Sequence, residues 1–270
     1  MEAEFNNRPI GIFDSGIGGF TVLHQLKQLL PRESFIYVAD NANRPFGDKS
    51  EKEILNINDH IIAYLLKQDV KAIVIACNTS SALALEYDRK KYPIPFIDML
   101  RDGLWFAKTE NQNSKVAVIA TQATVRSQMY FKILKQNNPL LTVEQQACPA
   151  LVPLIEEHVF DQSLKEKEKK WDTDIEIAVK EYTKSFKDFD LIIMGCSHYP
   201  YITSYVTFCL PNVKVVDPAY YVAIRTKELI RRIGANKDSR NYTFCYTKKD
   251  ETIISNAQQF GFENIKKVTL

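Results

Sequence analysis

The segment KAIVIACNTS at residues 71–80 is an apolar run that ends in a cysteine followed by small polar residues. The segment DLIIMGCSHYP at residues 190–200 repeats this order. A short, continuously apolar run is typical of a strand that is covered on both faces of a parallel sheet. The echo, which places Cys77 and Cys196 at matching points, indicates two similar halves.

Further apolar runs of the same kind predict additional strands in both parts of the chain. They are PIGIFD (9–14), FIYVAD (35–40), KVAVIA (115–120) and VKVVD (213–217). Amphipathic patterns between the runs predict helices, one of them opened by Ser50 and Glu53 in the spacing of a capping box. The alternation predicts an α/β protein with two similar α/β domains and mainly parallel sheets.

The composition is that of an ordinary globular protein. The chain has 270 residues, of which 45% are hydrophobic and 25% charged, and its formal net charge is +2. These values exclude a disordered chain, a collagen and a small disulfide scaffold, and they give no argument for a nucleic-acid partner. We interpret the charged run KEKEKK (165–170) as a solvated helix start or loop.

Cysteine usage and the N-terminus indicate the compartment. The five cysteines are odd in number and show no CxxC spacing, and the first residues are too polar for a signal peptide. No apolar stretch approaches the roughly 18 residues of a membrane span, so no membrane partner is expected. The sequence therefore predicts a cytoplasmic protein with free thiols.

Cys77 and Cys196 are the strongest candidates for chemistry. Both follow a predicted strand, at the sheet edge where open α/β proteins bind ligands, and both precede a predicted helix. A helix N-terminus lowers the pKa of a thiol, so we expect two reactive thiols. Cys148, Cys209 and Cys245 have no such context and are predicted to be buried apolar residues.

The segment DSGIGG (14–19) joins the first predicted strand to the first predicted helix. Its glycines are compatible with an anion site at a helix N-terminus or with a tight turn. The spacing matches neither the dinucleotide fingerprint nor a P-loop. Asp14 could orient, protonate or deprotonate a ligand, or cap the helix.

Other polar residues follow predicted strands. The segment RPFG (44–47) predicts a rigid turn, and Asn78, Thr79, Thr121 and Thr124 suit either carboxylate recognition or helix capping. His198 lies two residues after Cys196, which is half of a metal-binding pattern. Because no second pair has ligand spacing, no metal is expected.

Two thiols at equivalent places suit the inversion of a stereocentre. One base removes a proton from one face of the substrate while an acid returns a proton to the other, and a thiol serves in either role. A cysteine hydrolase needs a single nucleophile with an oxyanion hole, which leaves the second cysteine unexplained.

Six segments of the chain resemble the glutamate racemases, between about residue 9 and about residue 218. They are IGIFDSGIGGFTVL (10–23), YVADNANRPFGDKS (37–50), IACNTSSA (75–82), VIATQATVRS (118–127), CPALVPLIE (148–156) and MGCSHYP (194–200). The resemblance implies a cofactor-independent racemase of glutamate whose D-glutamate feeds peptidoglycan synthesis. It also implies a homodimer, and two domains related by a pseudo-twofold axis, residues 1–98 plus 209–270 and residues 99–208, with the site in the cleft between them.

The same resemblance assigns roles to individual residues. Cys77 and Cys196 would be the two catalytic bases, with Asp14 assisting Cys77 and His198 assisting Cys196. The implied substrate-binding residues are Asp14, Ser15, Pro45, Phe46, Gly47, Asn78, Thr79, Thr121, Thr124 and Ser197. Phe46 stands where the family usually has Tyr, and Ser197 stands where it usually has Thr.

Two alternatives remain open at this point. A racemase of the same fold could act on aspartate or another small amino acid. A non-catalytic homologue could use the same pocket only to bind a ligand, although the presence of both cysteines with Asp14 and His198 argues against it.

Overall fold

The computed structural model describes residues 5–108, 114–159, 168–237 and 240–270. Within these residues the chain forms two β-sheets in which every strand pair is parallel. The strands are β1 (Ile10–Asp14), β2 (Phe35–Ala39), β3 (Ala72–Ile75), β4 (Phe96–Asp98), β5 (Lys115–Ala120), β6 (Thr142–Ala147), β7 (Leu191–Gly195), β8 (Lys214–Val216), β9 (Tyr242–Tyr246) and β10 (Asn264–Lys267).

Helices lie between most consecutive strands. They are α1 (Phe20–Leu29), α2 (Glu51–Lys67), α3 (Asn78–Leu83), α4 (Leu85–Lys91), α5 (Gln122–Ser127), α6 (Met129–Asn137), α7 (Leu151–Val159), α8 (Glu168–Thr183), α9 (Thr203–Cys209), α10 (Pro218–Ile233) and α11 (Glu251–Gln259). In the described part of the chain, no helix is both long and apolar enough to cross a membrane.

The two sheets share one strand order. The first runs β10-β9-β2-β1-β3-β4 and the second runs β6-β5-β7-β8, so each contains four strands in the chain order second, first, third, fourth. The order reverses between the first and third of these strands, which is where open α/β sheets bind ligands. The predicted α/β class with two similar parallel sheets is confirmed, and β9 and β10 extend the first sheet alone.

Side-chain alternation along β1 separates the core into two parts. Ile12 belongs to a cluster that also contains Ile193 of β7, so this core connects the two sheets. Phe13 points to the other face and packs in a second cluster with Ile73 of β3. The first sheet is therefore buried on both faces, as its continuously apolar strands predicted.

The capping box predicted at Ser50 is confirmed. Its hydroxyl accepts from the Glu53 backbone N–H, and the Glu53 carboxylate accepts from the Ser50 backbone N–H at 2.9 Å. These two bonds satisfy donors that have no partner within helix α2. The helix then buries Ile54 and Ile61 against the first sheet.

Each of the six apolar runs contains a strand, but β4, β6, β9 and β10 were not predicted. Strand β6 has the sequence TVEQQA and is at most half-buried because it forms an edge of its sheet, so it lacks the apolar signal. Strand β8 pairs with β7, so the second sheet continues beyond residue 208, where the sequence placed the return to the first domain. Within the run at 165–170, helix α8 begins at Glu168, and residues 165–167 lie outside the described residues.

Candidate active site

A cavity of about 300 Å³ opens where the carboxyl ends of the strands of both sheets meet. Most of the candidate residues from the sequence line it. They are Ser15, Pro45, Phe46, Gly47, Cys77, Asn78, Thr79, Thr121, Cys196, Ser197 and His198. Ser15 follows β1, Cys77 follows β3, Thr121 follows β5 and Cys196 follows β7. The repeated strand order therefore brings both cysteines to one cavity.

The other two candidates, Asp14 and Thr124, do not line the cavity but contact residues that do, Ser197 and Thr79 respectively. Asp14 is fully buried, and its Oδ2 accepts from the Gly19 backbone N–H at 2.7 Å and from the Ser197 hydroxyl at 3.2 Å. Its Oδ1 has no hydrogen-bond partner among the described residues. The carboxylate thus connects the turn after β1 to the segment after β7, and Gly19 donates to it rather than to a ligand.

Threonine hydroxyls join the two halves at the other wall of the cavity. Thr79 Oγ1 lies 3.1 Å from Thr121 Oγ1 and 3.3 Å from Thr124 Oγ1. Beside them the Tyr130 hydroxyl donates to Asn78 Oδ1 at 2.5 Å, while Asn78 Nδ2 has no partner among the described residues. The Asn78 amide is therefore oriented by Tyr130 and has an N–H group free for a ligand.

Cys77 differs from the thiol that the sequence led us to expect. It is the N-cap residue of α3, but burial raises the pKa of its thiol well above the usual range, and the Asp14 charge raises it further. The backbone N–H and hydroxyl of Ser80 lower this pKa without reversing the shift. The expected lowering by a helix N-terminus is wrong for Cys77, because α3 has six residues and desolvation outweighs its end.

Cys196 has a different electrostatic environment. His198 Nδ1 lies 3.9 Å from Cys196 Sγ, and His198 Nε2 lies 3.2 Å from Glu156 Oε1. Burial by itself lowers the pKa of His198, but the bonds to Cys196 and Glu156 outweigh burial and raise the pKa to about 10. His198 is therefore an imidazolium at neutral pH, which donates to Glu156 and places a positive charge beside Cys196.

Gly18 makes this arrangement sterically possible. A Cβ atom at position 18 would lie 2.4 Å from His198 Nδ1 and 2.8 Å from Ser197 Oγ. Real Cβ atoms do not approach other atoms so closely, so the turn needs glycine for a close approach rather than for an unusual backbone. The sequence left open whether DSGIGG forms an anion site or a tight turn. The tight turn accounts for Gly18 and Gly19.

Several residues that line the cavity were not among the candidates. They are Arg44, Asp48, Gln122, Cys148, Pro149, Val152, Pro153 and Glu156. Glu156 had a signal, because it lies in the segment CPALVPLIE, but nothing in that segment marks it as the partner of a histidine 42 residues away. Arg44 lies 3.7 Å from Glu156 and 2.9 Å from Asp250, the N-cap residue of α11. Cys148 and Cys245 are buried as predicted, whereas the prediction is wrong for Cys209, which is half-buried. Burial raises the pKa of the Cys148 thiol.

Comparison with known proteins places this arrangement among racemases. The model of the Asp/Glu/Hydantoin racemase family matches residues 17–223. A glutamate racemase of Carboxydothermus hydrogenoformans is 38% identical over 97% of this chain and 96% of its own length. The glutamate racemase isoform RacE1 of Bacillus anthracis superposes with a TM-score of 0.87 at 29% identity, over 97% of this chain and 98% of that one.

A third similar protein was solved with a ligand. The glutamate racemase of Francisella tularensis, in complex with D-glutamate, superposes with a TM-score of 0.85 at 33% identity, over 97% of this chain and 98% of that one. The matched family segment includes strands of both sheets and contains Cys77, Cys196 and His198. On the fold, the paired cysteines and these similarities, the chain belongs to the Asp/Glu/Hydantoin racemase family.

Proposed function

We propose that this protein interconverts L-glutamate and D-glutamate by proton transfer between the substrate and two cysteines, Cys77 and Cys196. The observation that carries the proposal is that these two thiols, from equivalent strand ends of the two sheets, line a single cavity. Glutamate racemases that align over nearly the whole chain support glutamate as the substrate.

In this mechanism one thiolate removes the Cα proton while the other cysteine, as a thiol, protonates the opposite face. Reversal of the two roles completes the reaction in the other direction, so each turnover exchanges the states of the thiols. Because burial raises the pKa of Cys77, this residue is suited to be the protonated thiol, and therefore the acid, in the free protein. The His198 imidazolium beside Cys196 offers an opposite charge to a thiolate there.

Neutral groups around the thiols suit an amino-acid substrate. The Asn78 amide and the hydroxyls of Thr79 and Thr121 can hold a carboxylate without placing a fixed positive charge near Cα. Ser15, Ser197 and the turn formed by Pro45, Phe46 and Gly47 complete the proposed substrate contacts, with Thr124 and Asp14 acting from behind. Phe46 places in the cavity wall the aromatic ring that the family's usual Tyr would supply, but without its hydroxyl.

The reaction is tested by incubation of the protein with L-glutamate in heavy water. We expect the optical rotation to decay to zero while deuterium replaces the Cα proton. Parallel incubations with L-aspartate and a panel of other L-amino acids distinguish glutamate from the alternative substrates. Binding of glutamate without any loss of rotation would favour the non-catalytic alternative and contradict the proposal.

The two-base step is tested by single alanine substitutions. Cys77→Ala and Cys196→Ala should each abolish racemisation in both directions, because every turnover needs both groups. A substrate with a leaving group on Cβ needs only proton removal, so each variant should still eliminate from one enantiomer. By the family resemblance, Cys77→Ala retains elimination from the L-form and Cys196→Ala from the D-form.

A matched control is Cys209→Ala, which removes a half-buried thiol outside the cavity and should leave both activities unchanged. Elimination from the same enantiomer by both alanine variants would contradict the assignment of one base to each face. Full racemase activity in either variant would contradict the two-base mechanism itself.

Domain organisation, cellular location and oligomeric state also belong to the proposal. Two domains would be built on the two sheets, with the chain returning to the first after β8 rather than at residue 209. Use of D-glutamate in peptidoglycan synthesis and a homodimer are implied by the family resemblance, and a cytoplasmic location is expected from the free cysteines. All three remain part of the proposal. The reaction draws on side chains of this protein alone and assigns no step to a cofactor.

A further inference from the structure

Arg44 is a charged residue of the cavity wall that the proposed reaction does not use. An arginine beside a site for an amino acid would ordinarily be assigned to a carboxylate of the substrate. Its guanidinium already has two protein partners, however. Nη2 donates to Asp250 Oδ2 at 2.9 Å, and Nη1 lies 3.7 Å from Glu156 Oε2. Both ends of the guanidinium fork are therefore directed at carboxylates of this protein.

Asp250 gives Arg44 a rigid support. Its Oδ1 accepts from the backbone N–H groups of Thr252 and Ile253 at 3.1 and 3.2 Å, and these bonds cap helix α11. Its Oδ2 accepts from Arg44. Because the cap bonds hold the carboxylate against the helix N-terminus, the backbone of α11 sets the position of the oxygen that Arg44 meets.

Glu156 also uses its two oxygens separately. Oε2 faces Arg44, and Oε1 lies 3.2 Å from His198 Nε2. The Glu156 side chain is 28% exposed, so burial alone leaves its carboxylate room to rotate toward solvent. The ion pair with Arg44 restrains this rotation and keeps Oε1 at His198, whose Nδ1 lies 3.9 Å from Cys196 Sγ.

The charges alternate along the whole series, which runs from the N-terminus of α11 to the thiol that follows β7. Asp250 and Glu156 are anionic. Arg44 and His198 are cationic, and a thiolate at Cys196 continues the order. Each inner member therefore has a group of opposite charge on both sides, and ion pairs joined in such a network contribute more than isolated pairs.

We propose that Arg44 is a positioning residue that acts through Glu156 to hold the imidazolium ring of His198. The ring held in this way stabilises a thiolate at Cys196, and Asp250 holds Arg44 in turn. The inference assigns no substrate contact to Arg44. It deepens the proposed function, since it rests on Cys196 as a base.

The place of the ion pair dictates how the test is designed. Arg44 and Glu156 line both the cavity that holds the thiols and a second cavity of about 230 Å³, so the pair lies between the two. Its removal should widen access to both thiols, and this effect must be separated from an effect on Cys196 alone. The rate of iodoacetamide labelling is therefore followed at Cys196 by mass spectrometry, with Cys77 as the internal reference in the same sample. This readout needs no racemase activity, so a failure of the inference is distinguishable from a failure of the proposed function.

Arg44→Met removes the guanidinium and keeps an unbranched side chain. At pH ~8 it should lower the labelling of Cys196 relative to Cys77 by about threefold, the usual size of the effect of a partly exposed ion pair. Arg44→Lys should not restore the parent ratio, because one ammonium group cannot replace the two ends of the guanidinium fork. The matched control is Arg8→Met, which removes an exposed ion pair with Asp69 outside both cavities and should leave the ratio unchanged.

Asp250→Asn tests the support of Arg44. The asparagine oxygen still caps α11, but its NH₂ group replaces the oxygen that accepts from Arg44. The labelling ratio should therefore fall in the same direction as in Arg44→Met, by a smaller factor.

The effect of Arg44 should depend on Glu156. In a Glu156→Gln background, Arg44→Met should change the labelling ratio little, because a neutral amide offers the guanidinium no charge to hold. This loss of coupling separates positioning through Glu156 from a direct effect of the Arg44 charge on the thiol. With L-glutamate as substrate, Arg44→Met should lower kcat and leave KM nearly unchanged.

Four results would overturn the inference. They are an unchanged labelling ratio in Arg44→Met, a parent ratio in Arg44→Lys, an Arg44→Met effect that persists in the Glu156→Gln background, and a rise in KM that exceeds the fall in kcat. The last of these would place Arg44 on the substrate. The Arg44 side chain is 35% exposed, so its replacement should leave the fold intact, which urea unfolding checks. Should Arg44→Met not fold, the labelling ratio in Asp250→Asn decides, and an unchanged ratio there would overturn the inference.

Discussion

The charge of His198 is the feature of the site that can be tested most directly, by Glu156→Gln. In the folded protein the bond from His198 Nε2 to Glu156 Oε1, at 3.2 Å, helps to raise the pKa of His198 to about 10. Glutamine keeps an oxygen acceptor but removes the charge. The difference between a charged and a neutral hydrogen bond is about 1.4 kcal/mol, which corresponds to about one pKa unit. We therefore expect the pKa of His198 to fall to about 9.

The same shift should appear in stability. The pKa of folded His198 lies above the unfolded value of about 6.5, so its contribution is fully present below pH ~6.5 and is lost as pH rises through about 10. Glu156→Gln should be less stable than the parent by about 1 kcal/mol at pH 7, and the difference should vanish above pH ~10, where His198 is neutral in both proteins.

The assay is a proton NMR titration of the four histidine rings, with His198 assigned from His198→Asn, together with urea unfolding at neutral and high pH. The control is Asp48→Asn, which removes the same charge from an exposed residue at the cavity wall. A His198 that titrates near 6.5 in the parent, or equal shifts in the two variants, would refute the reasoning.

Four other outcomes are expected. Gly18→Ala should displace His198 and lower the free energy of unfolding, measured in urea, by about 1–3 kcal/mol. It should lower racemase kcat by a larger factor than it changes KM. Ser50→Ala should cost about 1 kcal/mol in the same assay and leave kcat unchanged, because neither Ser50 nor Glu53 lines the cavity. Racemase kcat/KM should rise from pH ~6 toward pH ~9, since burial raises the pKa of Cys77, and fall as His198 loses its proton near pH 10. Thiol alkylation should abolish activity while a chelator leaves it intact, and recovery of chelated protein by added metal would contradict this.

Much of the fold could be predicted because six strands are continuously apolar and end in polar residues. A strand such as β3, with the sequence AIVI, has no plausible place other than the middle of a buried sheet. Strand β6 lies at an edge and carries Glu144, Gln145 and Gln146, so its sequence has no comparable signal. Which sheet receives β8 depends on pairing with β7, a long-range contact that local sequence does not encode.

The same distinction holds at the candidate site. Cys77 and Cys196 could be identified because each follows a strand, and the strand positions fix where the cysteines lie. Glu156 and the state of the Cys77 thiol could not, because both depend on which groups become neighbours after folding. A helix end lowers the pKa of a thiol, but at Cys77 the burial that arises on folding raises the pKa by more.

The two halves are similar in strand order, but the charged groups beside their cysteines have opposite signs. This difference bears on how a symmetric reaction is catalysed. Asp14 lies near Cys77 and raises the pKa of its thiol, whereas the His198 imidazolium lies beside Cys196. The equilibrium constant of a racemisation is one, so kcat/KM must be equal in the two directions at every pH, whatever the asymmetry of the site. The charge difference can therefore favour one direction only through the relative stability of the two enzyme–substrate complexes. Such a preference changes kcat and KM of one direction by the same factor relative to the other direction. The individual constants, rather than their ratio, therefore measure how the two thiols differ.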